Sequence, residues 1–162
     1  MARIGGQSRA QALAGELEKN YPLSTMLKLY WLPTINAAIA VNQGNSSQAM
    51  VDLEPAAPYD LGTTGLPINY LYPAYLRGHA YLLARNGPAA AAEFQKLIDH
   101  PGIVTNFVTG ALAHLQIGRA YVMAGDTGKA QAAYNQFLTL WKDADPDIPI
   151  LKQARAEYAK LP

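Results

Sequence analysis

The chain has 162 residues, no cysteine and a formal net charge of +1 at pH 7, and only 15% of its residues are charged. This length fits one domain or one compact array with a real core, and the even charge balance excludes a basic footprint for nucleic acid or anionic lipid. The lack of cysteine excludes disulfides, thiolate chemistry and cysteine-based zinc sites. No stretch approaches the roughly 20 apolar residues of a membrane span, so we expect neither nucleic-acid binding nor membrane insertion.

Caps and helix breakers divide the chain into predicted helices, and no segment has the β-branched alternation of a half-buried strand. The predicted helices cover 7–20, 25–43, 46–57, 72–86, 88–99, 110–125, 127–142 and 148–160. Pro33 should kink the second helix or mark its first turn. The irregular stretch 59–71 is predicted to be an insertion between repeats, with a functional loop as the alternative. The expected fold class is all-α.

Three short turns separate pairs of these helices: Gly44-Asn45, Asn86-Gly87-Pro88 and Gly125-Asp126. In each turn we expect the glycine to take the left-handed position after the helix, and Asn or Asp to cap the helix that follows.

The helix pairs share a residue pattern with a period of about 40. Small residues recur at one place in each first helix and one place in each second helix: Ala37, Gly78 and Gly118, then Ala49, Ala90 and Ala130. Larger residues follow in the second helices: Leu53, Phe94 and Tyr134. Small residues allow close approach of antiparallel helices, and the larger ones fill the remaining space. A fixed period of this kind is typical of stacked repeats.

This pattern resembles the tetratricopeptide repeat (TPR), and the third pair matches it best, with Gly118, Tyr121, Gly125, Asp126, Ala130 and Tyr134. The resemblance implies a single right-handed α-α superhelix over residues 1–162, with helix pairs at 25–57, 72–99 and 110–142. It also implies a capping helix at 148–160 whose outer face in water carries Lys152, Gln153, Arg155, Glu157 and Lys160. Arg77 stands where the family has Leu, so we expect that helix to be rotated or locally exposed.

The first predicted helix, 7–20, falls on the register of a second helix whose partner is missing. Ala10, Ala14 and Leu17 occupy the repeat positions, and Gly5-Gly6 stands where the turn between paired helices belongs. We interpret the chain as cut from a longer protein, and we expect weak homodimerisation through this apolar end.

Three runs look like segments of the C-terminal TPR regions of bacterial serine/threonine protein kinases and related signalling proteins: 30–35, 57–62 and 145–152. This resemblance implies a parent protein with a kinase or regulatory domain upstream. The chain itself has no glycine-rich phosphate loop, no His-Arg-Asp run and no Asp-Phe-Gly. The compartment is then the cytoplasm by default, or an extracytoplasmic one if the parent has a membrane span upstream.

We expect no catalytic residues, metal or cofactor, because the histidines are far apart and no nucleophile stands beside a base. The expected function is a non-catalytic protein-interaction module that holds a protein or peptide segment in an apolar concave groove. The predicted groove residues are Thr34, Asn42, Tyr72, Tyr75, His79, Leu82, Leu115, Arg119 and Met123. Arg119, the lone cation among them, would favour an apolar segment with one acidic group.

Three alternatives stay open for this face. The same stripe could be core packing between repeats. The chain could be an assembly or dimerisation element without a separate ligand. It could also be an α-solenoid that binds a small molecule or a lipid.

Overall fold

A computed structural model describes residues 6–62 and 71–162, and over these ranges the chain is helical without a strand, so the all-α prediction is confirmed. The helices are α1 Gln7–Asn20, α2 Leu32–Asn42, α3 Ser46–Leu53, α4 Tyr72–Leu83, α5 Gly87–Asp99, α6 Pro101–Val104, α7 Val108–Ala124, α8 Thr127–Leu140 and α9 Pro149–Tyr158. The expectations for Gly5 and for most of the stretch between Gly62 and Leu71 fall outside the described residues.

Neighbouring helices pack in pairs, α2 with α3, α4 with α5, and α7 with α8, and each pair also contacts the next. The central core lies between α4, α5 and α7, where Tyr75, Phe94 and Ile117 are almost fully buried. A second cluster joins α2, α3 and α4, and a third joins α7, α8 and α9. The core is therefore a row of connected clusters that follows the order of the helices.

The small residues of the repeat lie at buried positions between paired helices. A Cβ added to Gly78 would lie 2.6 Å from the ring of Phe94, and one added to Gly118 would lie 2.9 Å from the ring of Tyr134. Ala90 and Ala130 are completely buried. The first helices α4 and α7 therefore each receive a ring of the paired helix against a glycine, whereas α2 has the buried Ala37 at this place and α3 the buried Leu53.

The three turns between paired helices share one hydrogen-bonding pattern. The amide of the residue after the turn bonds back over five residues, from Asn45 to Ala40 at 2.9 Å and from Asp126 to Tyr121 at 3.0 Å. Asn86 does the same and also caps α5, since its side chain accepts the amide of Ala89 at 3.2 Å. This is a Schellman-type end followed by an N-cap.

The middle turn corrects one expectation, because its left-handed residue is Arg85 at φ 56°, whereas Gly44 and Gly125 fill that place in the other turns. Gly87 instead begins α5 and is buried against α7. A Cβ on Gly87 would lie 2.6 Å from the carbonyl oxygen of Ala120. The glycine permits close packing of two helices rather than the turn itself.

Prolines explain where the helices depart from the predicted bounds. Leu27–Trp31 forms a π-helical stretch before α2, and Pro33 then lies in the first turn of α2, where its missing amide costs nothing. After α3 the chain tightens into a 3₁₀ helix, Glu54–Tyr59, which contains Pro55 and Pro58. The four-residue helix α6 was not predicted, since it is too short to show a period.

Candidate functional site

The predicted groove residues of α4 form an aromatic row. Tyr72 and Tyr75 stack with ring centroids 6.2 Å apart, and the edge of His79 meets Tyr75 at 4.7 Å. Tyr75 also contacts Phe94 of α5 at 5.7 Å. The row therefore runs from the partly exposed Tyr72 through the core to the partly exposed His79.

Three predicted groove residues are core residues instead. Tyr75 is 1% exposed, Leu115 is 0% exposed and Thr34 is 3% exposed. The hydroxyl of Thr34 donates to the carbonyl of Tyr30 one turn earlier, so its polar group is satisfied within the helix. These three side chains are not available to a partner in this structure, which corrects the expectation for them and agrees with the core-packing alternative.

Arg119 is paired within the chain. Its Nε and Nη2 donate to the two carboxylate oxygens of Glu157 on α9, each at 2.8 Å, and Tyr134 Oη donates to Glu157 Oε2 at 2.7 Å. Burial alone would lower the pKa of Arg119, but the pairing with Glu157 outweighs burial and raises it. Glu157 was expected on the outer face in water and instead faces α7 and α8.

The remaining predicted groove residues are accessible to different degrees. Asn42 is exposed, whereas Tyr72, His79, Leu82 and Met123 are partly exposed. Two neighbours on the same helices add apolar surface, since Leu83 is 45% and Val122 is 46% exposed. We call the set Tyr72, His79, Leu82, Leu83, Val122 and Met123 the first-helix strip. Together with Asn42 on α2, the strip is the surface at the predicted groove residues that a partner can reach.

Sequence reasoning missed a buried charge network around Arg77. This guanidinium donates to Asp60, which follows the 3₁₀ helix, and to Glu93 of α5, with 3.1 Å between Nε and Oε2. Lys96 also pairs with Glu93, at 2.9 Å. The network corrects the expectation that this helix is locally exposed at Arg77, because the Arg77 side chain is only 8% exposed.

The network affects the titration of its members. Burial raises the pKa of Asp60, although Arg77 and Lys96 act in the opposite direction. Burial and the nearby Asp60 also raise the pKa of Tyr30. Each acid of this network is paired with a cation, so the arrangement connects the segment after the 3₁₀ helix to α4 and α5.

The described part of the chain also has two grooves whose linings contain no residue of this network. The first groove, of about 670 Å³, lies between α1 and α3 over α2, and Gln11, Glu18, Lys28, Asn36 and Asp52 supply its polar groups. The second groove, of about 540 Å³, lies between α5 and α8 over the start of α7. Neither was predicted, because each depends on how several helices pack together, which no local sequence pattern shows.

The second groove is mainly apolar. Its walls include Leu97, Val104, Phe107, Leu140 and Trp141, with His114 on α7. Burial lowers the pKa of His114, so the imidazole is neutral at pH 7. A neutral donor and acceptor among apolar walls is a common setting for a ligand.

Among the described residues, no group of three His, Asp or Glu side chains is placed to hold a metal ion. Nor does that part of the chain contain a helix with the length and apolar character needed to cross a membrane. No family model, curated protein or solved structure matches this chain.

Proposed function

We propose that this chain is a TPR-like array that forms a right-handed superhelix and acts as a non-catalytic protein-interaction module. The repeat geometry supports the array: three turns with the same bonding pattern and two glycines, Gly78 and Gly118, that receive rings of the paired helices. Stacked helix pairs of this kind present extended surfaces that bind other chains. The sequence resemblance extends the proposal to a region of a bacterial signalling protein such as a serine/threonine kinase.

The observation that carries the proposed function is the first-helix strip. It combines partly exposed rings of Tyr72 and His79 with the apolar side chains of Leu82, Leu83 and Met123 on two consecutive first helices. A contiguous apolar surface rimmed by polar residues is typical of an interaction site. Since Arg119 is already paired with Glu157, the expected ligand is an apolar segment that does not require an acidic group.

Peptide display tests this proposal. We would select peptides on the wild-type chain, then measure their affinity for a Leu82→Glu plus Met123→Glu variant by isothermal titration calorimetry. Two charges in the strip should weaken the selected peptides by about tenfold or more, since desolvating each new carboxylate opposes binding.

The matched control carries Val51→Glu plus Leu140→Glu, which are 58% and 53% exposed and lie outside the strip. Selected peptides should bind this control as they bind the wild type. Equal affinity for the strip variant and the wild type, with both folded by circular dichroism, would contradict the proposal.

An assembly role is the second candidate, and the exposed apolar face of α1 favours it. Leu17 is 37% exposed and Leu13 is 41% exposed, whereas Leu97 and Phe137, at the register of Leu17 in α5 and α8, are at most 1% exposed. Light scattering over a concentration series should then detect a dimer that Leu13→Glu plus Leu17→Glu abolishes. A monomer at every concentration would exclude this role.

A further inference from the structure

The charge network around Arg77 can be compared with the first groove, because the repeat register shows which residues hold the equivalent places. By the register that aligns Ala37 with Gly78, Asn36 holds the place of Arg77. By the register that aligns Ala49 with Ala90, Asp52 holds the place of Glu93. The first pair therefore keeps the acid of the second helix and lacks the guanidinium of the first helix.

The third pair gives the opposite comparison. There the same two places hold Ile117 and Ala133, which are both buried apolar residues. Acid and guanidinium are thus both present in the middle pair and both absent in the third. Only the first pair has the acid alone, and it is there that the cavity of about 670 Å³ lies.

The polar groups of the first groove do not satisfy one another's hydrogen-bonding capacity. Asp52 Oδ1 accepts from Gln48 Nε2 at 2.8 Å, which leaves Oδ2 for another donor. Within the described ranges, the side chains of Glu18, Lys28 and Asn36 make no hydrogen bond or ion pair. The middle pair differs, because ion pairs join all four charged residues of its network: Asp60, Arg77, Glu93 and Lys96.

We propose that the first groove binds an arginine side chain supplied by a partner protein. The guanidinium takes the place that Arg77 occupies in the middle pair and donates to Asp52. Asp52 and Glu18 attract it, since their two negative charges exceed the one positive charge of Lys28 in the same lining. Its methylene stem packs on Ala14, Leu32 and Pro33, which line the same cavity. Arginine is favoured over lysine because its planar fork can donate two bonds to one carboxylate.

This site goes beyond the proposed function, since none of its residues belongs to the first-helix strip. A failure of one proposal therefore leaves the other standing. The occupant is a basic segment of a protein rather than an apolar one, so a chain with both sites would hold two different parts of a partner.

Nuclear magnetic resonance with a ¹⁵N-labelled chain tests the site. The probe is N-acetyl-arginine methylamide, and N-acetyl-citrulline methylamide, its neutral isostere, is the control ligand. Saturable shifts should be confined to amides of α1, α2 and α3 around the groove. The arginine probe should bind about two- to fivefold more tightly than citrulline, the range of a partly exposed charge pair.

Variants sharpen the test. Asp52→Asn plus Glu18→Gln should reduce the arginine affinity to that of citrulline. Glu16→Gln, which lies on α1 like Glu18 but outside the groove, should leave the arginine affinity unchanged. Asn36→Arg should abolish binding because its own guanidinium fills the site as Arg77 does. Asn20→Arg makes the same charge change outside the groove and should retain binding.

Equal responses to arginine and citrulline, or shifts scattered over the surface, would overturn the proposal. So would an Asn36→Arg variant that binds the probe as tightly as the wild type while its spectrum shows a folded chain.

Discussion

Gly78 is a residue at which paired helices pack without room for a side chain, because the ring of Phe94 occupies that space. Gly15 makes an instructive comparison, since it also lies inside a helix but has no heavy atom within 4 Å of an added Cβ. Two glycines on helices of the same array thus have opposite packing environments.

Gly78→Ala should lower the free energy of unfolding by about 1 kcal/mol, because overpacking outweighs the gain of about 1 kcal/mol in helix propensity. Gly15→Ala should raise it by roughly 0.5–1 kcal/mol, since only the propensity changes. Urea denaturation measures both. A Gly78→Ala variant as stable as Gly15→Ala would contradict the packing account.

Arg77 holds two acids that are each nearly excluded from water. Arg77→Leu, which installs the residue expected from the repeat, should cost about 3 kcal/mol, because Asp60 loses its buried partner. Adding Asp60→Ala should recover part of this loss. If Arg77→Leu were as stable as the wild type, the network would not hold the segment before α4.

At the scale of elements, the three turns share one hydrogen-bonding pattern and differ in the residue that adopts the left-handed conformation. Gly44 and Gly125 adopt the left-handed conformation without strain, whereas Arg85 adopts it with a Cβ. The cost of a non-glycine residue in this conformation is roughly 1 kcal/mol.

Arg85→Gly should therefore raise the free energy of unfolding by about 0.5–1 kcal/mol, even though glycine adds freedom to the unfolded chain. The melting temperature checks this result. As a control, Arg155→Gly inside α9 should lower stability, as glycine does in an exposed helix interior. A destabilised Arg85→Gly variant would contradict the strain at this turn.

The helices were predictable because their ends carry local signals. Asn45, Asn86 and Asp126 cap the second helices through their own side chains, and each signal lies within three residues of its effect. The π-helical stretch before Pro33 and the short α6 carry no periodic pattern of their own. Their form depends on tertiary packing, which overrides propensity.

The candidate site was less predictable, because its partners are distant in sequence. Glu157 lies 38 residues from Arg119, and Asp60 lies 17 residues from Arg77. Exposure of a ring such as Tyr75 depends on which helix packs on it, and periodicity cannot distinguish a groove from a core. The pattern therefore did not separate the accessible side chains of these helices from the buried and paired ones.

At the scale of the whole molecule, α9 is joined to α7 and α8 by an apolar cluster and by one carboxylate. Leu151 and Ala154 are fully buried in the cluster that joins α7, α8 and α9, and Glu157 bonds to both Arg119 and Tyr134. Burial alone would raise the pKa of Glu157, but the bonds from Arg119 and Tyr134 outweigh burial and lower it.

A carboxyl with a lowered pKa in the folded state stabilises the fold above its unfolded pKa and loses this contribution as the pH falls through the folded value. The wild type should therefore lose stability below the ordinary pKa of 4.5. Glu157→Gln should be less stable at pH 7 and should lose less on acidification. Parallel pH profiles from chemical denaturation would contradict the role of this contact.

The most direct test of the helix-pair account is a double-mutant cycle between Gly78 and Phe94, measured as free energies of unfolding in urea. If the ring of Phe94 fills the place of a side chain at Gly78, Gly78→Ala should destabilise the wild type. The same change should be neutral or stabilising in a Phe94→Leu background, with a coupling of about 1 kcal/mol or more. An equal cost of Gly78→Ala in both backgrounds would contradict the wedged packing on which the array depends.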